Sequence, residues 1–138
     1  MEIITSSINE TINFGKNLAG KLTDGDIVLL YGELGAGKTT LVKGLAAGFD
    51  VKSEITSPTF TLMNVYPAGG SNLVHIDTYR LKNEQELIDI GVEDYLGQTG
   101  SICVIEWPEK ISGLLQNKKT TAVTIEHIDQ NRRKIITA

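Results

Sequence analysis

The stretch "IVLLYGELGAGKTTLV", from Ile27 to Val42, constrains the fold more than any other part of the chain. Its opening apolar run, "IVLLY", reads as a strand buried on both faces. Gly32, Gly37, Lys38 and Thr39 then fit the spacing G-x-x-x-x-G-K-[ST], in which a glycine-rich turn offers successive backbone N–H groups to a phosphate. Such a turn must open a helix whose N-terminus faces the same anion. Leu41, Val42, Leu45 and Phe49 provide an inward face for a helix from about Lys38 to Phe49. In this arrangement Lys38 reaches the β- and γ-phosphates, the Thr39 hydroxyl ligates Mg²⁺, and Glu33, Leu34, Gly35, Ala36 and Thr40 complete the cradle.

The remaining chain reads as strands mixed with helices, which places it in the α/β class. "IIT" opens as a short strand. Ser7 and Glu10 have capping-box spacing, and Ile8, Ile12, Gly15, Ala19 and Leu22 fall on one helical face. After the phosphate loop, Pro58 confines "SEITSPTF" to a surface loop, which enters the strand "TLMNVY". "PAGGSN" is a turn, "LVHID" a strand, and "NEQELIDI" a helix ending at Gly91, with a further short helix around "VEDYL". "SICVIE" is a buried strand that "WPEK" leaves. "TAVTIEHI" and "KIITA" alternate about "DQNRR" and predict a C-terminal antiparallel hairpin. No repeat, low-complexity block or linker interrupts the pattern, so residues 1–138 are expected to form one domain around a central, partly parallel sheet flanked by helices.

Composition narrows the function classes. A net charge of −4 argues against wide coverage of nucleic acid. The clusters Lys118-Lys119 and Arg132-Arg133-Lys134 read either as solvated faces or as a local patch for an acidic partner. Cys103 is the single cysteine and lies in the apolar run "ICVI", where it reads as an inert core thiol. No apolar run approaches a bilayer span. The opening "MEIITSSINE" lacks a basic flank, so no secretory leader is expected and the cytoplasm is the expected compartment.

Two carboxylates are placed to serve the phosphate loop. Glu106 ends the apolar strand "SICVI", and the carboxyl ends of strands are where ligands of open α/β sheets gather. There it reads as holding Mg²⁺ directly or through water, as orienting the attacking water, or as a helix-facing surface glutamate at a strand end. Asp77 ends "LVHID" on the same strand face as His75, and reads as a base, a binder of metal-bound water, or a turn cap. His75 itself reads as a hydrogen-bonded structural histidine. Ser57 and Thr59 flank Pro58 in a loop suited to ordering by a γ-phosphate, or to a plain strand-entry turn.

Three phosphate chemistries compete. A GTPase should offer N-K-x-D, but Asn117-Lys118-Lys119-Thr120 lacks the acid that reads guanine. A small-molecule kinase needs a lid and added arginines, and Arg80 is the only arginine outside the 132–133 pair. The third class is an ATPase whose hydrolysis changes its own shape or a partner's.

"GELGAGKTT", "SPTFTL", "HIDTYR" and "VIEWPEK", in that order and spacing, resemble the bacterial TsaE (formerly YjeE) family. The resemblance extends to "TINFG" near the start and the "NRR" turn near the end. Where the family usually has Asp after the first loop glycine, this chain has Glu33. The resemblance implies a Mg²⁺-dependent ATPase required for threonylcarbamoyladenosine modification of tRNA, which does not itself make the modified base. It implies a partner complex of the threonylcarbamoyl-transferring subunit and its paralogue, reset by ATP hydrolysis, with any tRNA contact indirect. It also implies that Lys38 and Thr39 serve phosphate and magnesium, that Glu106 is the magnesium-associated glutamate with Trp107 beside it, and that Asp77 is the acid of the H-x-D motif. Ser57 to Thr59 correspond to a switch-like loop, and Thr11 to Gly15 to the segment near the adenine.

Overall fold

The computed structural model describes every residue from Met1 to Ala138. Its frame is one seven-stranded sheet: β1 (Glu2–Thr5), β2 (Ile27–Tyr31), β3 (Met63–Ala68), β4 (Ser71–Asp77), β5 (Ser101–Glu106), β6 (Thr120–His127) and β7 (Arg133–Thr137). The spatial order is β1-β7-β6-β2-β5-β4-β3. β6, β2, β5 and β4 run parallel, while β7, β1 and β3 pair antiparallel at the two margins. The α/β class, the partly parallel sheet and the C-terminal hairpin are all as the sequence predicts.

Helices α1 (Ile8–Ala19) and α2 (Lys38–Gly48) cover one face, and α3 (Gln85–Asp89) with two 3-10 turns, Val92–Asp94 and Pro108–Ile111, packs on the other. Alternation along the strands divides the apolar residues between two clusters. Val28 and Leu30 of β2, Leu73 of β4, and Ile102 and Val104 of β5 join Leu41, Val42 and Leu45 of α2. Ile27 and Leu29, Val74 and Ile76, and Cys103 and Ile105 join Leu87, Val92 and Ile111. "IVLLY" and "SICVIE" are apolar throughout because both of their faces are covered.

Local details follow from residue chemistry. Ser7 caps α1, its Oγ accepting from Glu10 N–H at 3.1 Å, so one half of the expected capping box forms. The inward face of α1 differs from expectation: Thr11, Phe14, Gly15, Leu18 and Ala19 are buried, whereas Ile8 is 70% exposed. The first turn of α1 overhangs a small recess beside Gly37 and Thr40 rather than the sheet, so Ile8 has no core to enter. "VEDYL" contracts to a single 3-10 turn, and the expected turn "PAGGSN" contracts to Gly69-Gly70 because its flanks join β3 and β4. α1 and α2 cross where neither carries a side chain. A Cβ on Gly15 would lie 2.8 Å from Gly44 Cα, and one on Gly44 would lie 2.3 Å from Ile12 O.

Candidate functional site

The carboxyl ends of the parallel strands converge at one edge of the sheet. β2 runs into the loop Gly32–Gly37, which opens α2. Gly37 has φ +107, a left-handed conformation that strains any residue with a Cβ. Ala36 N–H donates to Glu33 O at 3.1 Å and Leu41 N–H to Gly37 O at 3.0 Å, but the N–H groups of Gly35, Gly37, Lys38, Thr39 and Thr40 have no backbone acceptor. Five donors are thus gathered at the N-terminus of α2, where the helix dipole also favours negative charge. A polyphosphate satisfies both features, so the loop fits the ligand that its sequence implies.

Lys38 is buried, and that burial pushes its ammonium below the ordinary 10.5, against the pull of Glu106, Asp77 and Glu109. Its Nζ donates to Gly32 O at 2.5 Å and stands 3.7 Å from the centre of the Trp107 ring. Trp107 is therefore half-buried as a lid on the lysine. Its φ of 60° is left-handed, and the turn is held by Thr78, whose Oγ1 donates to the carbonyls of Glu106 and Trp107.

Glu106 and Asp77 end neighbouring strands and are direct register partners. They lie two residues beyond Val104 and four beyond Leu73, which pack under α2, so alternation turns both carboxylates to the same side as Thr39. His75 shares this face and is fully buried; its Nε2 pairs with Glu106 Oε2 at 2.5 Å, and its Nδ1 has no partner. The structural histidine of the sequence reading is thus bonded to one of the two carboxylates. Asp77 Oδ1 accepts from Tyr79 N–H at 2.9 Å, and Oδ2 accepts from Thr59 Oγ1 at 3.3 Å. Thr59 is in turn 2.7 Å from Ser57 Oγ, so the "SPT" loop is tied to the sheet edge through Asp77. Thr11 is buried in α1 and joins Gly37 and Thr40 around the small recess. No cluster of three or more His, Cys, Asp or Glu side chains forms a ready metal cage. Thr39 and Glu106 fit Mg²⁺ only as partial ligands, which suits an ion that keeps waters and phosphate oxygens.

One residue of the site escaped the sequence reading. Arg133, read as part of a solvated or partner-facing cluster, turns inward instead. Its Nε donates to Ala36 O at 2.9 Å, and its Nη1 donates to Asp129 O at 2.8 Å. No local signal marks it among three consecutive basic residues; only the hairpin register brings it to the phosphate loop. Lys118 and Lys119 remain on the surface.

Beside the loop a cleft of about 890 Å³ opens between Leu34, Trp107, Glu109, Glu126 and His127. No helix is long and apolar enough to cross a membrane.

Comparison with known proteins agrees with this geometry. The family model for "Threonylcarbamoyl adenosine biosynthesis protein TsaE" matches residues 5–135. A "tRNA threonylcarbamoyladenosine biosynthesis protein TsaE" from Treponema pallidum is 39% identical over 138 residues, covering all of both chains. The protein of the same name from Bacillus subtilis is 36% identical over 134 residues, covering 97% of this chain and 83% of its own. The crystal structure of Bacillus subtilis YdiB superposes with a TM-score of 0.80 at 31% identity, covering all of this chain and 84% of that one. A phosphate loop, a paired Asp and Glu on adjacent strand ends and a near full-length match lead to one assignment: the chain belongs to the TsaE family of threonylcarbamoyladenosine biosynthesis proteins.

Proposed function

We propose that this protein is a Mg²⁺-dependent ATPase that serves tRNA threonylcarbamoyladenosine formation by resetting the threonylcarbamoyl-transferase complex. The observation that carries the reading is the convergence of five unpaired N–H donors, Lys38, Glu106 and Asp77 at one sheet edge. The loop amides and Lys38 grip the β- and γ-phosphates, and Lys38 must leave the Trp107 face to do so. Thr39 and Glu106 would hold Mg²⁺, which when bound neutralises charge on the phosphate oxygens. His75 fixes the Glu106 carboxylate by the bond to its Oε2. Each Asp77 oxygen accepts one hydrogen bond and keeps lone pairs with which to orient a water and accept its proton, and the bond to Thr59 couples that role to the "SPT" loop.

Dependence on a partner follows from where the arginines are. Arg80 stacks on Phe60 with its guanidinium carbon 4.7 Å from the ring centre, Arg132 is paired with Asp129, and Arg133 holds the loop backbone. Each arginine is thus already engaged within the protein, and an arginine supplied in trans is worth about 10³–10⁵ in rate. Phe60 at 82% and Leu34 at 67% exposure flank the site and suit coverage by a protein partner. The resemblance names that partner as the transferase subunit with its paralogue.

The test has two arms. Saturating Mg·ATP should stabilise the protein by about 2.7 kcal/mol at a hundred times the dissociation constant, and Lys38→Ala should lose most of that. Isolated protein should turn over slowly and the transferase complex should accelerate it. Equal thermal shifts in wild type and mutant, or fast turnover indifferent to the complex, would overturn the reading. The cleft beside the loop leaves room for an acceptor, so γ-phosphate transfer to a small metabolite would favour a kinase instead.

A further inference from the structure

We infer that Arg133 is a positioning residue of the phosphate loop, keeping two backbone donors of the cradle free for the ligand. This inference rests on the phosphate-binding reading above and extends it to a residue outside the loop motif. The argument begins with the Ala36 carbonyl. Ala36 stands four residues before Thr40, so its oxygen is the natural acceptor for Thr40 N–H if α2 begins one residue earlier. In the structure that oxygen instead accepts from Arg133 Nε at 2.9 Å, and Thr40 N–H has no backbone acceptor. A trans peptide points its C=O and the following N–H in opposite directions. Holding Ala36 O toward the hairpin therefore aims Gly37 N–H away from it, into the cradle, and Gly37 N–H also lacks a backbone acceptor.

The arginine is itself held. Asp129 Oδ1 accepts from the N–H groups of Asn131 and Arg132 at 3.1 and 2.8 Å, and its Oδ2 accepts from Arg132 Nε at 2.7 Å. That bonding fixes the turn between β6 and β7, including the carbonyls of Asp129 and Arg132, both of which accept from Arg133 Nη1 at 2.8 and 3.0 Å. Three hydrogen bonds thus fix the guanidinium plane, which a single ammonium cannot reproduce. Close packing supports the same placement: a Cβ on Gly37 would lie 3.3 Å from Ile125 Cδ1 and 3.7 Å from Arg133 Nε. The C-terminal hairpin acts as a brace on the phosphate loop, with Arg133 as its point of contact.

The experiment measures amide exchange in nucleotide-free protein and Mg·ATP affinity in the same variants. Arg133→Ala should release the Ala36 carbonyl, so Thr40 N–H should become protected against exchange, and Mg·ATP affinity should fall about tenfold. Arg133→Lys should recover part of the affinity through one restored bond, and it remains informative if the alanine variant does not fold. Unchanged Thr40 protection with weakened binding would overturn the inference, because Arg133 would then act by touching the nucleotide directly. Wild-type affinity in a folded Arg133→Ala protein would overturn it as well. If wild type and Lys38→Ala fail alike to bind Mg·ATP, the phosphate-binding reading falls, while the exchange arm still decides whether Arg133 holds the loop.

Discussion

Replacing Gly44 with alanine sets two effects of opposite sign against each other at the α1–α2 crossing. Alanine in a helix interior is favoured over glycine by about 1 kcal/mol. The new Cβ, however, would lie 2.3 Å from Ile12 O and 3.0 Å from both Ile12 C and Gly15 Cα. Ordinary C···O contacts begin near about 3.3 Å, so α1 must retreat by roughly 1 Å. The obstacles are backbone atoms and no rotamer change relieves them, which places the cost at the upper end of the usual ~1–3 kcal/mol for overpacking. Gly44→Ala should therefore destabilise by about 1–2 kcal/mol net. With an unfolding entropy of about 2.1 cal/mol/K per residue, a chain of 138 residues loses roughly 3–7 °C in melting temperature. Gly20→Ala provides the control, since Gly20 has φ −66 and its Cβ would meet only Asn17 O at 3.5 Å. That change should raise the melting temperature by about 1–3 °C through the unfolded state. Calorimetry on the three proteins without ligand decides the matter. A Gly44→Ala protein as stable as Gly20→Ala would refute the reasoning.

Two further outcomes are expected. Cys103 is fully buried and its thiol is pushed up to about 12 by burial, so a thiol reagent at neutral pH should label native protein only through unfolding. Mg·ATP at a hundred times its dissociation constant should slow that labelling about 100-fold, and rapid labelling of native protein would contradict the burial. Glu106→Ala should alter the magnesium dependence of ATP binding as well as turnover, whereas Asp77→Asn should leave affinity nearly intact and lower the partner-stimulated rate roughly tenfold or more. Titrating Mg²⁺ against both variants checks this, and a magnesium shift confined to Asp77→Asn would reverse the two roles.

The strands that build the site were legible because burial on both faces leaves an unbroken apolar run, as in "IVLLY" and "ICVI". The glycine-rich turn between β2 and α2 was legible because its backbone holds Gly32, Gly35 and Gly37 at positive φ. What the sequence could not carry was contact set by register. His75 and Glu106 stand 31 residues apart and meet only because β4 lies beside β5. Arg133 and Ala36 stand 97 residues apart and meet across the hairpin. Ile8 failed for a related reason. A helical face identifies which residues can turn inward, but not whether the sheet reaches under the helix's first turn.

On the proposed function, the charges around Lys38 account for pairing a cradle of N–H groups with a metal-associated carboxylate. One buried ammonium faces Glu106, Asp77 and Glu109, so the side chains nearest the phosphate position carry more negative charge than positive. The free N–H groups supply only partial charges, equivalent to about half an elementary charge for the helix end. On the proposed reading a bare polyphosphate would meet repulsion that the loop alone does not cancel, and a divalent ion held by Thr39 and Glu106 would offset it. In the unliganded protein the same surplus of carboxylate stabilises the Lys38 ammonium beneath Trp107, where burial alone would disfavour it. On the proposed reading, nucleotide entry would exchange one set of counter-charges for another: the lysine would leave Gly32 O and the Trp107 face as the phosphate arrived. That step would uncover Trp107 beside the exposed Leu34 on the rim of the same cleft. Under the proposed function, Lys38 would link occupancy of the phosphate site to the shape of the surface around it, the coupling that a partner-directed ATPase requires.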